Sequence, residues 1–211
     1  MFKEIIAIGL IILVLGCTTP KEEVTPKVVL EYFSSPTCES CKAVEANVSK
    51  TFEEYKDILN VVRYEAPNPP DLNSEFGKKV KEYNIQVTPS YVINGVVYSG
   101  SASIRDMGKH IRMAYSIEDW KLSRKDYYIE YFYMGGCANC EKVKDTIEKL
   151  GSNPNVHLVR YDLDTKYGGD HIEDYGLQQI APVLVFNVGA DGTAIGSFEI
   201  PSHEIVKKLL R

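Results

Sequence analysis

The chain repeats itself once, and a repeat on the scale of a whole domain constrains its fold more than any other feature. The segment Val29-Leu-Glu-Tyr-Phe-Ser-Ser-Pro-Thr-Cys-Glu-Ser-Cys41 recurs as Tyr128-Ile-Glu-Tyr-Phe-Tyr-Met-Gly-Gly-Cys-Ala-Asn-Cys140. The offset is 99 positions throughout: Glu31/Glu130, Tyr32/Tyr131, Phe33/Phe132, Cys38/Cys137 and Cys41/Cys140. The register continues into Val44/Val143 and Val48/Ile147. A period this long is a domain copied once, not a solenoid repeat. It also explains a length of 211 residues, which is long for one small domain and short for two average ones.

Each copy carries the same order of elements. Val28 to Phe33 is a short apolar, β-branched and aromatic run closed by Ser-Ser-Pro, the pattern of a buried strand. Cys41, Val44, Val48, Phe52 and Tyr55 then recur at helical spacing, as do Cys140, Val143, Ile147 and Leu150. Strands are expected at Val61–Glu65 and Val156–Tyr161, and helices ending near Tyr83-Asn84 and Tyr175-Gly176. Thr88-Pro89 opens a hairpin over Ser90–Tyr98 whose turn is Asn94-Gly95. Ala181-Pro182 opens Val183–Asn187, followed by a turn at Ala190-Asp191-Gly192 and a strand over Ile195–Ile200. Amphipathic helices through Ile104, Met107, Ile111 and Tyr115, and through Ile205, Val206, Leu209 and Leu210, close the copies. The predicted class is α/β, with the order β-α-β-α-β-β-α twice. The polar stretch from Trp120 to Lys125 separates a first domain over 28–121 from a second over 126–211.

The five cysteines divide as one, two and two. The lone one, Cys17, follows an 11-residue apolar run from Ile5 to Leu15, too short for the roughly 20 residues of a spanning helix. Residues 1–16 resemble a signal peptide, and Val14-Leu15-Gly16-Cys17 resembles the lipobox of secreted lipoproteins, in which the cysteine takes a lipid. A plain signal peptide and an uncleaved anchor are the alternatives. All three put the folded part outside the cytoplasm, where disulfides persist. Residues 17–27 then form a lipid-anchored, solvated tether. With Lys plus Arg at 24 against 29 Asp plus Glu, the net charge is −5, so the basic surplus of a nucleic-acid binder is missing.

The remaining four cysteines form two CxxC pairs, each between a strand and a helix. Thiol–disulfide exchange needs a thiolate, and a free cysteine of pKa near ~8.5 is mostly protonated at neutral pH. A cysteine at a helix amino terminus meets unpaired N–H groups and the favourable end of the dipole. Cys38 and Cys137 are therefore the expected nucleophiles, and Cys41 and Cys140, one turn on, the resolving thiols. Glu39 beside the first thiol opposes its ionisation, so Cys137 is expected to be the more acidic. Three alternatives stand: a four-thiolate metal site, structural disulfides, and simple buried cysteines. Zinc ribbons separate their pairs by roughly 15–20 residues, and a CxxC loop is too small to remove much chain entropy.

A CxxC between strand and helix, with a proline opening a hairpin some 40–50 residues later, resembles the thioredoxin fold. The likeness covers nearly all of residues 28–211, and the tandem arrangement is similar to the two-domain protein disulfide oxidoreductases. The dipeptides inside the pairs, Glu39-Ser40 and Ala138-Asn139, are not the Gly-Pro of thioredoxin itself, and the single Trp, Trp120, does not precede a pair. The resemblance implies that Pro89 and Pro182 are cis and face the cysteines, and that Thr88 and Ala181 offer backbone hydrogen bonds to an extended substrate. It implies that Glu31 and Glu130, each seven residues before a nucleophile, are buried acids exchanging a proton with the resolving thiol. It further implies a protein thiol–disulfide oxidoreductase needing no bound cofactor, with protein thiols or disulfides as substrates and a membrane electron-transfer protein as a further partner. A thioredoxin-like binding module with vestigial cysteines is the competing reading.

Overall fold

The computed structural model of the chain describes residues 27–177 and 181–187. The expected signal peptide, Cys17, nearly all of the tether, the Ile195–Ile200 strand and the last helix lie outside the described residues.

The first repeat runs β1 (Val28–Ser34), α1 (Glu39–Glu54), β2 (Leu59–Glu65), α2 (Glu75–Glu82), β3 (Ser90–Ile93), β4 (Val96–Ser99), α3 (Gly100–Arg105) and α4 (Met107–Ser123). The second runs β5 (Tyr127–Tyr133), α5 (Ala138–Gly151), β6 (Val156–Asp162), α6 (Lys166–Asp174) and β7 (Val183–Asn187). Each repeat builds its own mixed sheet, in the orders β2-β1-β3-β4 and β6-β5-β7. The strand leading to the cysteines is central in both: β1 is parallel to β2 and antiparallel to β3, and β5 is parallel to β6 and antiparallel to β7. The β3–β4 turn is the expected one, with Asn94 and Gly95 both at positive φ, 51° and 79°. The α/β class therefore stands, and the element order repeats as far as β7.

Alternation along the central strands sorts side chains to two faces. Val28, Leu30 and Tyr32 pack with Val44 and Val48 of α1 and with Ile104, Met107 and Ile111 of α3 and α4. Phe33 faces the other way, against Tyr64, Val80 and Tyr83 on the α2 side. The second repeat copies the pattern: Ile129 and Tyr131 meet Ile147 and Leu150 of α5, while Phe132 meets Leu163 and Ile172 on the α6 side.

Two expectations about the first closing helix need correction. The periodicity from Ile104 to Tyr115 predicts one helix, but it is broken at Asp106 (φ −95°, ψ 4°) into α3 and α4. The polar stretch from Trp120 is not a linker at its start: α4 runs to Ser123 and stops at Arg124 with φ 53°. Polarity misleads here because α4 packs one face on its own sheet through Met107 and Ile111 and sets Arg112 and Ser116 against the second repeat.

Both repeats also share a glycine that the offset of 99 does not reveal. Ser74 caps α2 and Thr165 caps α6, each accepting the N–H of the glycine three residues on, Gly77 and Gly168, at 3.1 Å. A Cβ on Gly168 would stand 2.1 Å from the Asp162 carbonyl oxygen, and one on Gly77 2.5 Å from Leu72 Cα. Gly→Ala inside a helix ordinarily stabilises by about 0.5–1 kcal/mol. Here the sign reverses: Gly168→Ala is expected to lose about 3 kcal/mol or more of stability, through overpacking against backbone that cannot yield. Urea unfolding of the variant beside the parent checks this.

Candidate active site

Both CxxC pairs occupy the turn between a central strand and the following helix, and both are closed as disulfides. Cα separations are 5.3 Å for Cys38–Cys41 and 5.2 Å for Cys137–Cys140. Cys38 is the N-cap of α1 in extended backbone, and its Sγ accepts the Cys41 N–H at 3.0 Å. Cys137 caps α5 in the same way, accepting the Cys140 N–H at 3.1 Å. An N-cap side chain normally offers oxygen to these orphan donors. With sulfur there, the same N–H group meets a thiolate once the disulfide is reduced, and the helix dipole adds to it. The second cysteine of each pair lies inside: Cys41 and Cys140 are 4% and 9% exposed, while Cys38 and Cys137 are more open. That inequality suits an outer attacking sulfur and an inner resolving one.

The prolines come to the same place. Thr88-Pro89 and Ala181-Pro182 are both cis, as is Asn68-Pro69, which nothing in the sequence singled out. The Thr88 carbonyl oxygen lies 3.4 Å from Cys38 Sγ, and that of Ala181 lies 3.7 Å from Cys137 Sγ. Thr88 and Ala181, each followed by its cis-proline, thus set a backbone carbonyl beside the outer sulfurs. Beside Cys140 a cavity of about 240 Å³ opens, lined by Tyr131, Tyr133, Gly135, Gly136, Lys144 and Arg160 among others.

Strand alternation puts Glu31 with Phe33 and Glu130 with Phe132, on the sheet face opposite the helix that bears the resolving cysteine. Glu31, with 14% of its side chain exposed, accepts from Tyr64 at 3.2 Å and from Tyr83, with Lys79 Nζ at 3.6 Å. Glu130 is fully buried and accepts from Ser116 at 2.8 Å, Tyr175 at 2.7 Å and His171 Nε2 at 3.1 Å. None of these partners belongs to α1 or α5. Position seven before the outer cysteine has the opposite parity to Tyr32 and Tyr131, which face those helices.

Glu130 belongs instead to a junction between the repeats that sequence reasoning missed. Arg112 of α4 holds Asp174 of α6 in a bidentate pair at 2.7 Å and 2.7 Å and also donates to Tyr55. His171, fully buried, lies between Glu130 and Asp174, whose Oδ2 is 3.3 Å from Nδ1. Burial opposes the imidazolium, but the Glu130 carboxylate, aided by hydrogen bonds to Asp174 and Glu130, outweighs it and holds the His171 pKa at about 9. Burial would raise the Asp174 pKa, yet hydrogen bonds from Arg112 and His171 keep it below the usual carboxylate range. Two cations and two anions are buried together, which is the condition under which buried charges are tolerated.

The side chains around the two outer sulfurs differ. Glu39 does not simply confront Cys38: its carboxylate is paired with Lys42 at 2.7 Å in the exposed first turn. Ser40 Oγ lies 3.1 Å from Cys38 Sγ and 3.4 Å from the Thr88 carbonyl oxygen. Asn139, its counterpart, has its Oδ1 taken by Lys142 at 3.2 Å. Among the described residues no group of three or more His, Cys, Asp or Glu is arranged to hold a metal ion.

No protein-family model matches the chain, and no curated protein matches it. Solved structures do. The first two thioredoxin domains of Naumovozyma dairenensis Eps1p are 14% identical, with 89% of this chain and 90% of that one covered, at a TM-score of 0.39. A protein disulfide oxidoreductase from Aeropyrum pernix is 16% identical over 89% and 86% of the two chains, at 0.35. Mitochondrial thioredoxin 3 from Saccharomyces cerevisiae is 24% identical over 44% of this chain and 85% of its own, at 0.34.

Proposed function

We propose that the chain is a thiol–disulfide oxidoreductase that works outside the cytoplasm on protein thiols and disulfides, with one exchange site per repeat. The observation that carries this reading is the placement of each outer sulfur. It caps a helix, takes a backbone N–H, and faces the carbonyl of the residue before a cis-proline, twice over. In the reducing direction the Cys38 thiolate attacks a substrate disulfide, forming a mixed disulfide and expelling one substrate thiolate. Cys41, as thiolate, then attacks Cys38 Sγ; the Cys38–Cys41 disulfide closes and the second substrate thiol leaves. Two electrons pass from chain to substrate, and the reverse sequence oxidises a dithiol. Cys137 and Cys140 act likewise. Thr88-Pro89 and Ala181-Pro182 present an edge to which an extended substrate segment can add as a strand.

Turnover of insulin disulfides with dithiothreitol as electron donor tests the activity. It is expected to require Cys38 or Cys137; a binding module predicts turnover no higher than that of the variant lacking both. The location rests on the apolar run from Ile5 to Leu15 and on Cys17. Radiolabelled fatty acid is expected on the chain and not on its Cys17→Ser variant.

A further inference from the structure

The two exchange sites are copies in backbone but not in what touches the nucleophile. Cys38 and Cys137 share the N-cap position and the resolving-residue N–H, at 3.0 Å and 3.1 Å. Glu39 is paired with Lys42 at the first site, while at the second Lys142 reaches Asn139 Oδ1 and the Asp164 carboxylate takes the Gly135 N–H. Among side chains that touch the outer sulfur, the difference is one hydroxyl. Ser40 Oγ stands 3.1 Å from Cys38 Sγ, while among the described residues no side-chain donor reaches Cys137 Sγ.

A disulfide sulfur has no proton, so in the oxidised pair only the hydroxyl can donate. The same hydroxyl has a second acceptor within reach, the Thr88 carbonyl oxygen at 3.4 Å. With the disulfide closed, sulfur is a weak acceptor and the carbonyl competes for the proton. Once Cys38 is a thiolate, the charged sulfur is the stronger acceptor and the hydroxyl turns to it. The bond is thus strongest in the reduced form, and an interaction that favours the reduced form raises the reduction potential of the pair. The nearer carbonyl at the first site, 3.4 Å against 3.7 Å, would by itself disfavour a thiolate; the Ser40 hydroxyl, within reach of both atoms, offsets it.

We propose that Ser40 is a catalytic hydrogen-bond donor to the Cys38 thiolate, and that it makes the first pair the electron sink of the chain and the second pair its source. The proposal rests on the exchange reading above, and it reverses the order of acidity expected from Glu39. In a chain carrying two electrons, Cys38 and Cys41 hold them as a dithiol while Cys137–Cys140 stays a disulfide.

The experiment gives the fully oxidised chain one equivalent of dithiothreitol. Each dithiothreitol closes its own ring and passes two electrons and two protons to one pair. After equilibration, acid quenching and alkylation, mass mapping reads which pair holds the label. The dithiol is expected at Cys38/Cys41 over Cys137/Cys140 by about tenfold, the scale of one hydrogen bond to a charged group. Ser40→Ala should erase that preference, a shift of about 30 mV in the first pair's potential, and Ser40→Thr should restore it. A thiolate absorbance titration of the Cys137→Ser/Cys140→Ser chain should show the Cys38 pKa rising in Ser40→Ala and returning in Ser40→Thr. Equal labelling of the two pairs in the parent, or labelling unmoved by Ser40→Ala, would overturn the proposal. The partition does not depend on turnover, so a chain that partitions as expected yet fails to reduce insulin would sink the exchange reading instead.

Discussion

Chains carrying Cys41→Ser or Cys140→Ser are expected to stall as covalent adducts with substrate, whereas Cys38→Ser with Cys137→Ser should fall to the uncatalysed rate without unfolding. The first outcome follows from position. Cys41 and Cys140 lie inside the turn, so the incoming disulfide meets Cys38 or Cys137; without the inner thiol, nothing intramolecular can release the mixed disulfide. The second follows from capping. Serine is a preferred N-cap and keeps an acceptor for the N–H of Cys41 or Cys140, whereas alanine would forfeit a cap worth about 1 kcal/mol. Loss of turnover in the serine variants, at an unchanged urea midpoint after reduction of the parent, thus separates chemistry from folding. Non-reducing gels of the Cys41→Ser and Cys140→Ser chains incubated with oxidised insulin read the adducts. If adducts accumulate only when Cys38 or Cys137 is the residue replaced, the roles within the pairs are reversed.

The fold was legible because its determinants are local and were written twice. A β-branched run, a cysteine cap and a helical stripe occur in β1–α1 and again in β5–α5, and each copy corroborates the other. Asn94-Gly95 set its turn unaided, since few other dipeptides accept positive φ at both positions. What escaped was whatever depends on how the repeats meet. Glu130 and Glu31 occupy matching positions before the same Tyr-Phe pair, yet one is buried beneath α4 and the other meets Lys79 near the surface. Six residues after the N-cap, α2 carries Val80 where α6 carries His171. That substitution is the visible trace of the junction, and a lone histidine on an amphipathic helix is an ambiguous one. Arg112 gave less still, as one basic residue among several on a helix that composition reads as half exposed. The difference between Ser40 and Asn139 was on view from the start, but its meaning depends on a distance to sulfur that spacing does not supply.

The junction carries the second large prediction. Arg112→Ala is expected to destabilise the chain by about 3–5 kcal/mol, the scale of removing one partner from a buried ion pair. It leaves Asp174 without its bidentate donor, and Tyr55 without the guanidinium. Trp120, the only tryptophan, donates to the Lys125 carbonyl at 3.0 Å and so reports on the join between the repeats. In Arg112→Ala its fluorescence should change at a lower urea concentration than the far-ultraviolet signal of the two sheets, while in the parent the two should coincide. The same cluster sets a pH profile. His171 is faced by Glu130 from β5, Asp174 from its own helix and Ser116 from α4, with Tyr161 and Tyr167 around the ring. Its folded pKa, about 9, exceeds the unfolded value near ~6.5. The resulting stability is therefore complete below about pH 6.5 and fades as pH rises through about 9, by on the order of 3 kcal/mol. Asp174 works at the other end: its lowered pKa contributes stability above the unfolded value near ~3.9, lost as pH falls below it. Unfolding free energies between pH 6 and 10 should fall in the parent and lie flatter in His171→Gln, which cannot bind the proton. A parent profile as flat as the variant's would mean that the buried imidazole is neutral and that Glu130 is held by Ser116 and Tyr175 alone.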